Sequence, residues 1–195
     1  MKDINTISKA SVEWFSKNNL DCDYTKVTNS TQDLAKKEAF NLSSTLKLYI
    51  ADYQSCGRGR VNDRVWTSKA GDNFLSTWSW NFTQTNITTT LSEKIGNQVI
   101  LACKKTWPHL DWNLNLPNDI YLNNKKTAGL LIDILNQGDK NRLLIGFGFN
   151  IYSFPDNLNN KSTNLSGQTD FNINDWEAFL KALFENWNKL LKKNI

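Results

Sequence analysis

Hydrophobic and polar residues follow two different periods along the chain, and each period marks out separate segments. Apolar runs and alternation predict strands in YTKVT, LKLYIADY and NFLSTWSWNF. Apolar residues at uneven helical spacing predict a short amino-terminal helix, and apolar residues three to four positions apart predict a helix in LSEKIGNQVILACKKTW. Ser and Thr at an N-cap, followed by good helix formers, predict another helix in NSTQDLAKKEAFNL. The segment NINDWEAFLKALFENWNKLLKK predicts the clearest helix, because one broad face carries Trp176, Phe179, Leu180, Leu183, Phe184, Trp187 and Leu190.

The stretch between the two longest helices predicts an antiparallel meander. WNLNLPNDIYLNNKKTAGLLIDIL indicates two strands joined by an Asn/Lys-rich turn at residues 123–126, and RLLIGFGFNIYSF adds a third after the NQGDKN turn. Strands and helices do not alternate strictly along the chain. We therefore predict an α+β fold, with a mixed, mainly antiparallel sheet and helices packed on one face. The length of 195 residues and the lack of a repeat or long linker predict a single domain over 1–195.

Composition and charge narrow the class of protein. Lys and Arg total 23 against 19 Asp and Glu, so the net charge of +4 is too small to indicate a general nucleic-acid binder. The cysteines Cys22, Cys56 and Cys103 form no CxxC pair, and no segment has the length of a membrane span or the pattern of a secretory signal. These features predict a cytoplasmic protein without a membrane partner. Because His109 is the sole histidine, a metal site or catalytic triad built on histidine is not expected.

The segment SCGRGRVNDRVW carries cations where a helix can hardly form, and we predict a loop there. Its arginines are Arg58, Arg60 and Arg64. Gly57 and Gly59 permit close backbone approach, so backbone N–H groups and guanidinium groups can converge on an anion such as phosphate. The segment is neither a Walker loop nor a dinucleotide fingerprint. Trp66, just beyond the arginines, fits either the core or a flat surface for a base.

Three other segments offer candidate ligand contacts. Residues 29–32 begin a predicted helix, whose first turn presents unpaired backbone N–H groups. Lys126 precedes Thr-Ala-Gly at the start of a strand, where a ligand can approach the backbone closely. Gly146, Gly148 and Asn150 occupy alternate positions of a strand and leave one face of it open.

The motifs STQDLA, ADYQSCGRGR, PNDIYLNNKKTAGLLI and GFGFN, in this order, resemble the catalytic domain of biotin protein ligase. The resemblance runs from about Tyr24 to the carboxyl end of the chain. It implies the biotin/lipoate ligase fold and the ATP- and Mg²⁺-dependent conversion of biotin to biotinyl-5′-AMP. It also implies transfer of biotin to a lysine of the biotin carboxyl carrier domain of a carboxylase. Two anionic reactants must meet in the first step, and fixed cations would screen their repulsion.

The resemblance also implies roles for individual residues. Lys126, Arg58 and Arg60 would be the catalytic cations. The predicted biotin-binding residues are Ser30, Thr31, Gln32, Gln54, Arg58, Gly59, Arg60, Lys126, Gly129, Gly146 and Gly148. The predicted nucleotide-binding residues are Arg60, Arg64, Trp66, Lys126 and Asn150. Asn118 and Asp119 would support the site, and no metal ligands are assigned.

The chain departs from the family pattern at several points. Asn115 and Leu116 stand where Lys-Trp is usual, and Gln32 stands where Asn is usual. The spacing from Arg60 to Trp66 is one residue longer than common. The family also has members with an amino-terminal DNA-binding domain and a carboxyl-terminal small β-domain. We predict that both are absent and that DNA is not a partner, while a homodimer stays open.

Three alternatives remain at this point. A lipoate or octanoate transferase shares the fold, and a divergent paralogue with altered activity fits the departures. A module that binds RNA or another phosphate-rich partner through the arginine loop belongs to a different class and predicts steep salt dependence without nucleotide chemistry.

Overall fold

The computed structural model describes residues 6–59, 65–82, 89–155, 158 and 161–192. These residues contain four α-helices and nine strands. The helices are α1 (Ile7–Lys17), α2 (Thr31–Glu38), α3 (Thr89–Thr106) and α4 (Ile173–Leu191). The strands are β1 (Asp21–Thr28), β2 (Leu46–Gln54), β3 (Gly57–Arg58), β4 (Val65–Trp66), β5 (Phe74–Phe82), β6 (Trp112–Asn115), β7 (Asp119–Leu122), β8 (Lys125–Gln137) and β9 (Lys140–Phe149).

Seven of the described strands form one sheet in the order β1-β2-β5-β9-β8-β7-β6, and β3 pairs with β4 separately. The pairing of β1 with β2 is parallel, and the other pairings within the large sheet are antiparallel. The predicted mixed, mainly antiparallel α+β fold is therefore confirmed.

One face of the sheet carries the main core, which packs against α1, α3 and α4. Aromatic rings meet edge to face across this layer, as between Phe15 and Trp78 at 5.3 Å and between Trp78 and Trp187 at 5.1 Å. The Trp187 indole N–H donates to the backbone oxygen of Ile95 on α3 at 3.1 Å. The broad apolar face predicted for α4 is buried here, because most of its large side chains are inaccessible to solvent.

Helix α2 packs on the opposite face, where a small apolar cluster joins Ala35 to Tyr49 and Leu144. Three of the helices in the described residues thus follow the predicted one-sided packing, and α2 is the exception. Its far end is fixed by the buried guanidinium of Arg142, which donates to the backbone oxygens of Ala39 and Ser44. The amino-terminal end of α2 is consequently held over the middle of the sheet.

Strand β9 shows how the sequence separates the two faces. Ile145, Phe147 and Phe149 point into the aromatic core, as strand alternation requires. Gly146 and Gly148, between them, lie on the α2 side. The glycines leave room above the sheet beside the first turn of α2, and a cleft forms there.

Two local predictions need correction. The segment from Trp112 to Leu135 was expected to form two strands, but β6, β7 and most of β8 lie within it. Pro117 separates β6 from β7, because its backbone nitrogen has no hydrogen to donate to a ladder. The meander therefore has four strands among the described residues, in the order β6, β7, β8 and β9.

The arginine segment was expected to be a loop throughout. Instead, Gly57 and Arg58 pair antiparallel with Trp66 and Val65. A Cβ atom at Gly57 would lie 2.5 Å from the backbone oxygen of Trp66, so glycine permits this close pairing. Arg60 and Arg64 lie outside the described residues.

Among the described residues, no helix is both long and apolar enough to cross a bilayer.

Candidate functional site

An open cleft lies on the α2 side of the sheet, under the β3–β4 pair. It brings together most of the residues predicted for the site, from four separate motifs. The predicted residues that line it are Ser30, Thr31, Gln32, Gln54, Arg58, Gly59, Trp66, Asn118, Asp119, Lys126, Gly129, Gly146 and Gly148. The cleft is also lined by Ser76, Thr77, Leu130, Leu131 and Phe147, which sequence reasoning missed.

One end of the cleft is polar and uncharged. Ser30 is the N-cap of α2, and its hydroxyl accepts a hydrogen bond from the backbone N–H of Gln32 at 3.2 Å. The backbone N–H of Thr31 donates to the side-chain oxygen of Gln54 at 2.7 Å. The hydroxyl of Thr31 reaches the same Gln54 oxygen at 3.0 Å. The first turn of α2 and the end of β2 are thus joined through side chains that can donate to and accept from a neutral ligand.

Thr77 extends this polar end across the sheet. It lies opposite Gly146 in the pairing of β5 with β9, and its hydroxyl oxygen is 2.9 Å from Thr31 Oγ1 and 3.0 Å from Gln32 Oε1. A signal for Thr77 exists in the sequence, because Thr77 and Ser79 are polar residues at alternate positions of an apolar strand. Alternation of this kind marks a polar face, but it does not say which strand lies opposite.

Arg58 lies at the mouth of the cleft on β3. Its side chain is exposed, and Nε donates to Asp33 Oδ1 at 2.7 Å. The hydrogen bond to Asp33 raises the pKa of the Arg58 guanidinium above its usual value. Asp33 belongs to the first turn of α2, so this ion pair links the β3–β4 pair to the helix.

Lys126 provides the second cation. Its Nζ lies 2.8 Å from Asp119 Oδ1 and 5.7 Å from the centre of the Trp66 ring. Asp119 on β7 pairs with Gly129 on β8, which brings the carboxylate over the start of β8. The Lys126 side chain is about one third exposed, and Lys126 lines the cleft.

The Trp66 indole lies flat against the glycines of the sheet. A Cβ at Gly148 would be 2.8 Å from Trp66 Cε2, and one at Gly129 would be 3.1 Å from Cζ3. The ring is half-buried, and its buried Nε1 atom has no hydrogen-bond partner among the described residues. Trp66 thus packs on the sheet and also forms a wall of the cleft, and its use as a flat surface for a base stays a prediction.

The side chains of Asn118 and Asn150 both donate hydrogen bonds to backbone oxygens. Asn118 Nδ2 donates to the oxygen of Leu130 at 2.8 Å, which holds the start of β7 against β8. Asn150 was predicted to form part of the nucleotide wall, but it is not among the residues that line the cleft. Its side-chain Nδ2 donates to the oxygen of Thr163 at 3.2 Å, so it ties the end of β9 to the following segment. Strand β9 ends at Phe149, and the alternation that placed Asn150 beside the glycines stops there.

No group of three or more His, Cys, Asp or Glu side chains suited to a metal ion occurs within the described parts of the chain. Among the described residues, the cleft combines a neutral hydrogen-bonding end with two cations, each paired with one aspartate. Such an arrangement suits a ligand that has a polar uncharged head and an anionic tail.

Comparison with known proteins adds independent findings. The model of the biotin/lipoate A/B protein ligase family matches residues 24–150. The chain is 34% identical over 152 residues to the bifunctional ligase/repressor BirA of Bacillus spizizenii, an alignment that covers 73% of this chain and 45% of that protein. The chain thus spans less than half the length of this curated relative.

Solved structures show the same fold. The biotin protein ligase of Aquifex aeolicus in complex with biotin and ATP superposes with a TM-score of 0.68 and 26% identity, over 89% of this chain and 73% of that one. A putative lipoate protein ligase of T. acidophilum with bound lipoic acid gives a TM-score of 0.61 at 14% identity, over 89% and 86% of the two chains. The second likeness concerns the fold alone.

Proposed function

The chain belongs to the biotin/lipoate A/B protein ligase family, and we propose that it activates biotin with ATP and transfers it to a lysine of a carrier domain. In the first step a biotin carboxylate oxygen would bond to the α-phosphorus of ATP, and the bond to the leaving pyrophosphate would break. In the second step a lysine amine of the acceptor would attack the acyl carbon, and AMP would leave.

The observation that carries this proposal is the convergence of Lys126 and Arg58 with the neutral row of Thr31 and Gln54 in one cleft. The neutral row suits the ureido ring of biotin, since it offers both donors and acceptors without a charge. The two cations suit the carboxylate and the α-phosphate, which repel each other until fixed positive charge screens them. The dithiolane ring of lipoate has no N–H group to use the same row.

Lys126 is the proposed principal catalytic cation. It would exchange part of its contact with Asp119 for oxygens of the carboxylate and the α-phosphate. Arg58 lies at the cleft mouth, and it would turn from Asp33 toward the same oxygens. Trp66 would offer a flat apolar surface to the adenine.

The described residues fit a magnesium ion only in a limited way, since Asp119 is a lone carboxylate at the cleft. Magnesium is commonly held by substrate phosphates with one or two carboxylates, and Asp119 would be the ligand from this chain. A bound magnesium ion would neutralise charge on the phosphates. The chain's own residues would bind and orient the two reactants.

The test is pyrophosphate release from ATP in the presence of biotin. Replacement Lys126→Ala should lower the rate about 10²- to 10³-fold, as loss of one fixed electrostatic contact does. Lys125→Ala is the matched control, because it removes the same charge from the neighbouring exposed position, which does not line the cleft. A Lys126→Ala protein within threefold of the unmodified one would remove Lys126 from this role. Pyrophosphate release with lipoate but not biotin would instead favour the lipoate alternative.

A further inference from the structure

The buried side-chain amide of Gln32 lies between the Asp133 carboxylate and the Thr77 hydroxyl. Its Nε2 donates to Asp133 Oδ2 at 3.1 Å, and its Oε1 is 3.0 Å from the Thr77 hydroxyl. Gln32 is 2% exposed, so water does not compete for these contacts. A Cβ at Gly146 would lie 2.8 Å from Gln32 Oε1, which places this oxygen against the glycine floor of the cleft.

Asp133 determines which way this amide faces. Its Oδ2 atom also lies 2.6 Å from Lys36 Nζ, and an ionised carboxylate can only accept hydrogen bonds. If the Gln32 amide turned over, its oxygen would face the carboxylate and the contact would become repulsive. The NH₂ group must therefore face Asp133, and the oxygen must face the cleft.

Four side-chain oxygens follow one another at the neutral end of the cleft, and three contacts join them, but only two hydroxyl hydrogens lie among them. Three contacts connect the oxygens of Gln54, Thr31, Thr77 and Gln32, at 3.0, 2.9 and 3.0 Å. Only the hydroxyl groups of Thr31 and Thr77 have hydrogens to share among these three contacts. Gln54 Oε1 also accepts from the backbone N–H of Thr31, whereas the Thr77 hydroxyl is the donor to Gln32 Oε1 in this row. An amide oxygen can accept two hydrogen bonds, so Gln32 Oε1 can also accept one from an N–H group of a ligand.

We propose that Asp133, acting through Gln32, is a positioning residue that makes this end of the cleft selective for a ligand head with N–H donors. The inference rests on the proposed function, since the ureido ring of biotin is such a head and the ring of lipoate is not. Asp133 does not line the cleft and would not touch the substrate. It sets the orientation of Gln32. Lys36 contacts the same carboxylate oxygen, but it does not orient the Gln32 amide.

The first test is calorimetric binding of biotin to the full chain and its variants. Asp133→Asn lets the Gln32 amide take either orientation, and it should weaken biotin binding about tenfold, as loss of one buried hydrogen bond does. The same substitution in a Gln32→Met background should change binding by less than twofold. Lys36→Met is the matched control and should stay within threefold. An equal effect of Asp133→Asn in both backgrounds, or an equal loss in Lys36→Met, would overturn the proposal.

Selectivity is measured with biotin methylated at its ureido nitrogens. The unmodified protein should prefer biotin over the methylated compound by more than tenfold, and Asp133→Asn should bring this ratio close to one. A structural defect at Asp133 would weaken both ligands together and leave the ratio unchanged, which would also contradict the proposal.

A ligand-free measurement separates this inference from the proposed function. In the ¹⁵N spectrum of the unmodified protein, one Gln32 side-chain amide hydrogen should be shifted downfield by the Asp133 carboxylate. That signal should move toward the position of a free amide in Asp133→Asn and stay in Lys36→Met. If biotin does not bind but the signal behaves in this way, the function fails and the orientation of Gln32 by Asp133 stands. A Gln32 signal at the free-amide position in the unmodified protein would refute the orientation whether or not Asp133→Asn folds.

Discussion

The two faces of β9 differ in packing: one is filled by large aromatic side chains, and the other is left open by glycines. On one face, Phe149 lies among Trp112, Trp176 and Phe179, with ring centres 5.6 to 6.2 Å apart. On the other face, Gly148 leaves its space to the Trp66 ring and the cleft. The close packing of rings is therefore concentrated on one side of the strand and the cleft on the other, although the residues adjoin in sequence.

The two faces also use different forces. The helix-covered face is apolar and close-packed, so its cohesion comes from burial and ring contacts. The cleft face is built from glycine, hydroxyl and amide groups whose positions depend on hydrogen bonds. Because these bonds have directions, a small change there should alter ligand binding before it alters folding.

The largest expected effect belongs to the packed face. Phe149→Ala removes a fully buried ring and should lower the free energy of unfolding by about 3–5 kcal/mol, measured by denaturant titration. At a temperature where the variant remains folded, its biotin affinity should stay within about threefold of the original. A destabilisation under about 1 kcal/mol, or a large loss of affinity in the folded variant, would contradict the separation of the two faces.

The next effect belongs to the open face. Gly148→Ala places a methyl group 2.8 Å from Trp66 Cε2, so the ring must move out of its position in the cleft. Biotin and nucleotide binding should weaken about tenfold, while the free energy of unfolding should fall by about 1 kcal/mol, the low end for an added methyl group, because the half-buried ring can shift. Calorimetry and denaturant titration measure the two quantities.

Gly129→Ala provides the graded comparison for this substitution. Its Cβ would lie 3.1 Å from Trp66 Cζ3, a milder overlap, so the loss of affinity should be smaller than for Gly148→Ala. The combination of Gly148→Ala with Trp66→Phe should recover part of the loss if the ring is the cause. A larger loss in Gly129→Ala than in Gly148→Ala would show that Trp66 is not the limiting contact.

Sequence reasoning could predict features that depend on local pattern. The aromatic stripe of α4 and the strand alternation of β5 determine their buried faces without knowledge of the partners. Gly146 and Gly148 predicted an open strand face, because residues without side chains cannot fill it. The motifs with Gln54, Arg58 and Lys126 could be assembled into one site only through the resemblance, since they lie on separate elements.

The remaining features depend on register and on contacts between distant elements. Thr77 enters the cleft because it lies opposite Gly146, and pairing register is not written in either strand alone. Asp133 reaches Gln32 across 101 positions of the chain, which no local period can reveal. The short pairing of Gly57 with Trp66 brings Gly57 close to the Trp66 backbone. A glycine in the sequence permits such an approach but does not predict it.

The smallest expected effect lies on the α2 face, away from the cleft, at Tyr49. Its hydroxyl donates to Glu38 Oε2 at 2.8 Å, and Lys47 Nζ lies 3.1 Å from the same oxygen while also contacting Asp23. The hydrogen bond from Tyr49, followed by that from Lys47, lowers the pKa of Glu38 below its usual value of 4.5. A lowered carboxyl pKa contributes stability above pH 4.5, and the contribution is lost as the pH falls through the folded-state pKa.

Tyr49→Phe removes the first of these hydrogen bonds and leaves the ring packing in place. The loss of unfolding free energy at pH 7 should be about 0.5 kcal/mol, the low end for a hydrogen bond, because the Glu38 side chain is 46% exposed. The difference between the two proteins should shrink as the pH falls from 4.5 through the lowered folded-state pKa of Glu38, because the carboxyl group becomes protonated in both. Denaturant titrations at pH 7 and pH 3.5 give the comparison, and a difference that grows toward acid would mean that Tyr49 does not stabilise the charged carboxylate. Biotin affinity should be unchanged, because neither Tyr49 nor Glu38 lines the cleft and Glu38 lies at the end of α2 opposite to Gln32.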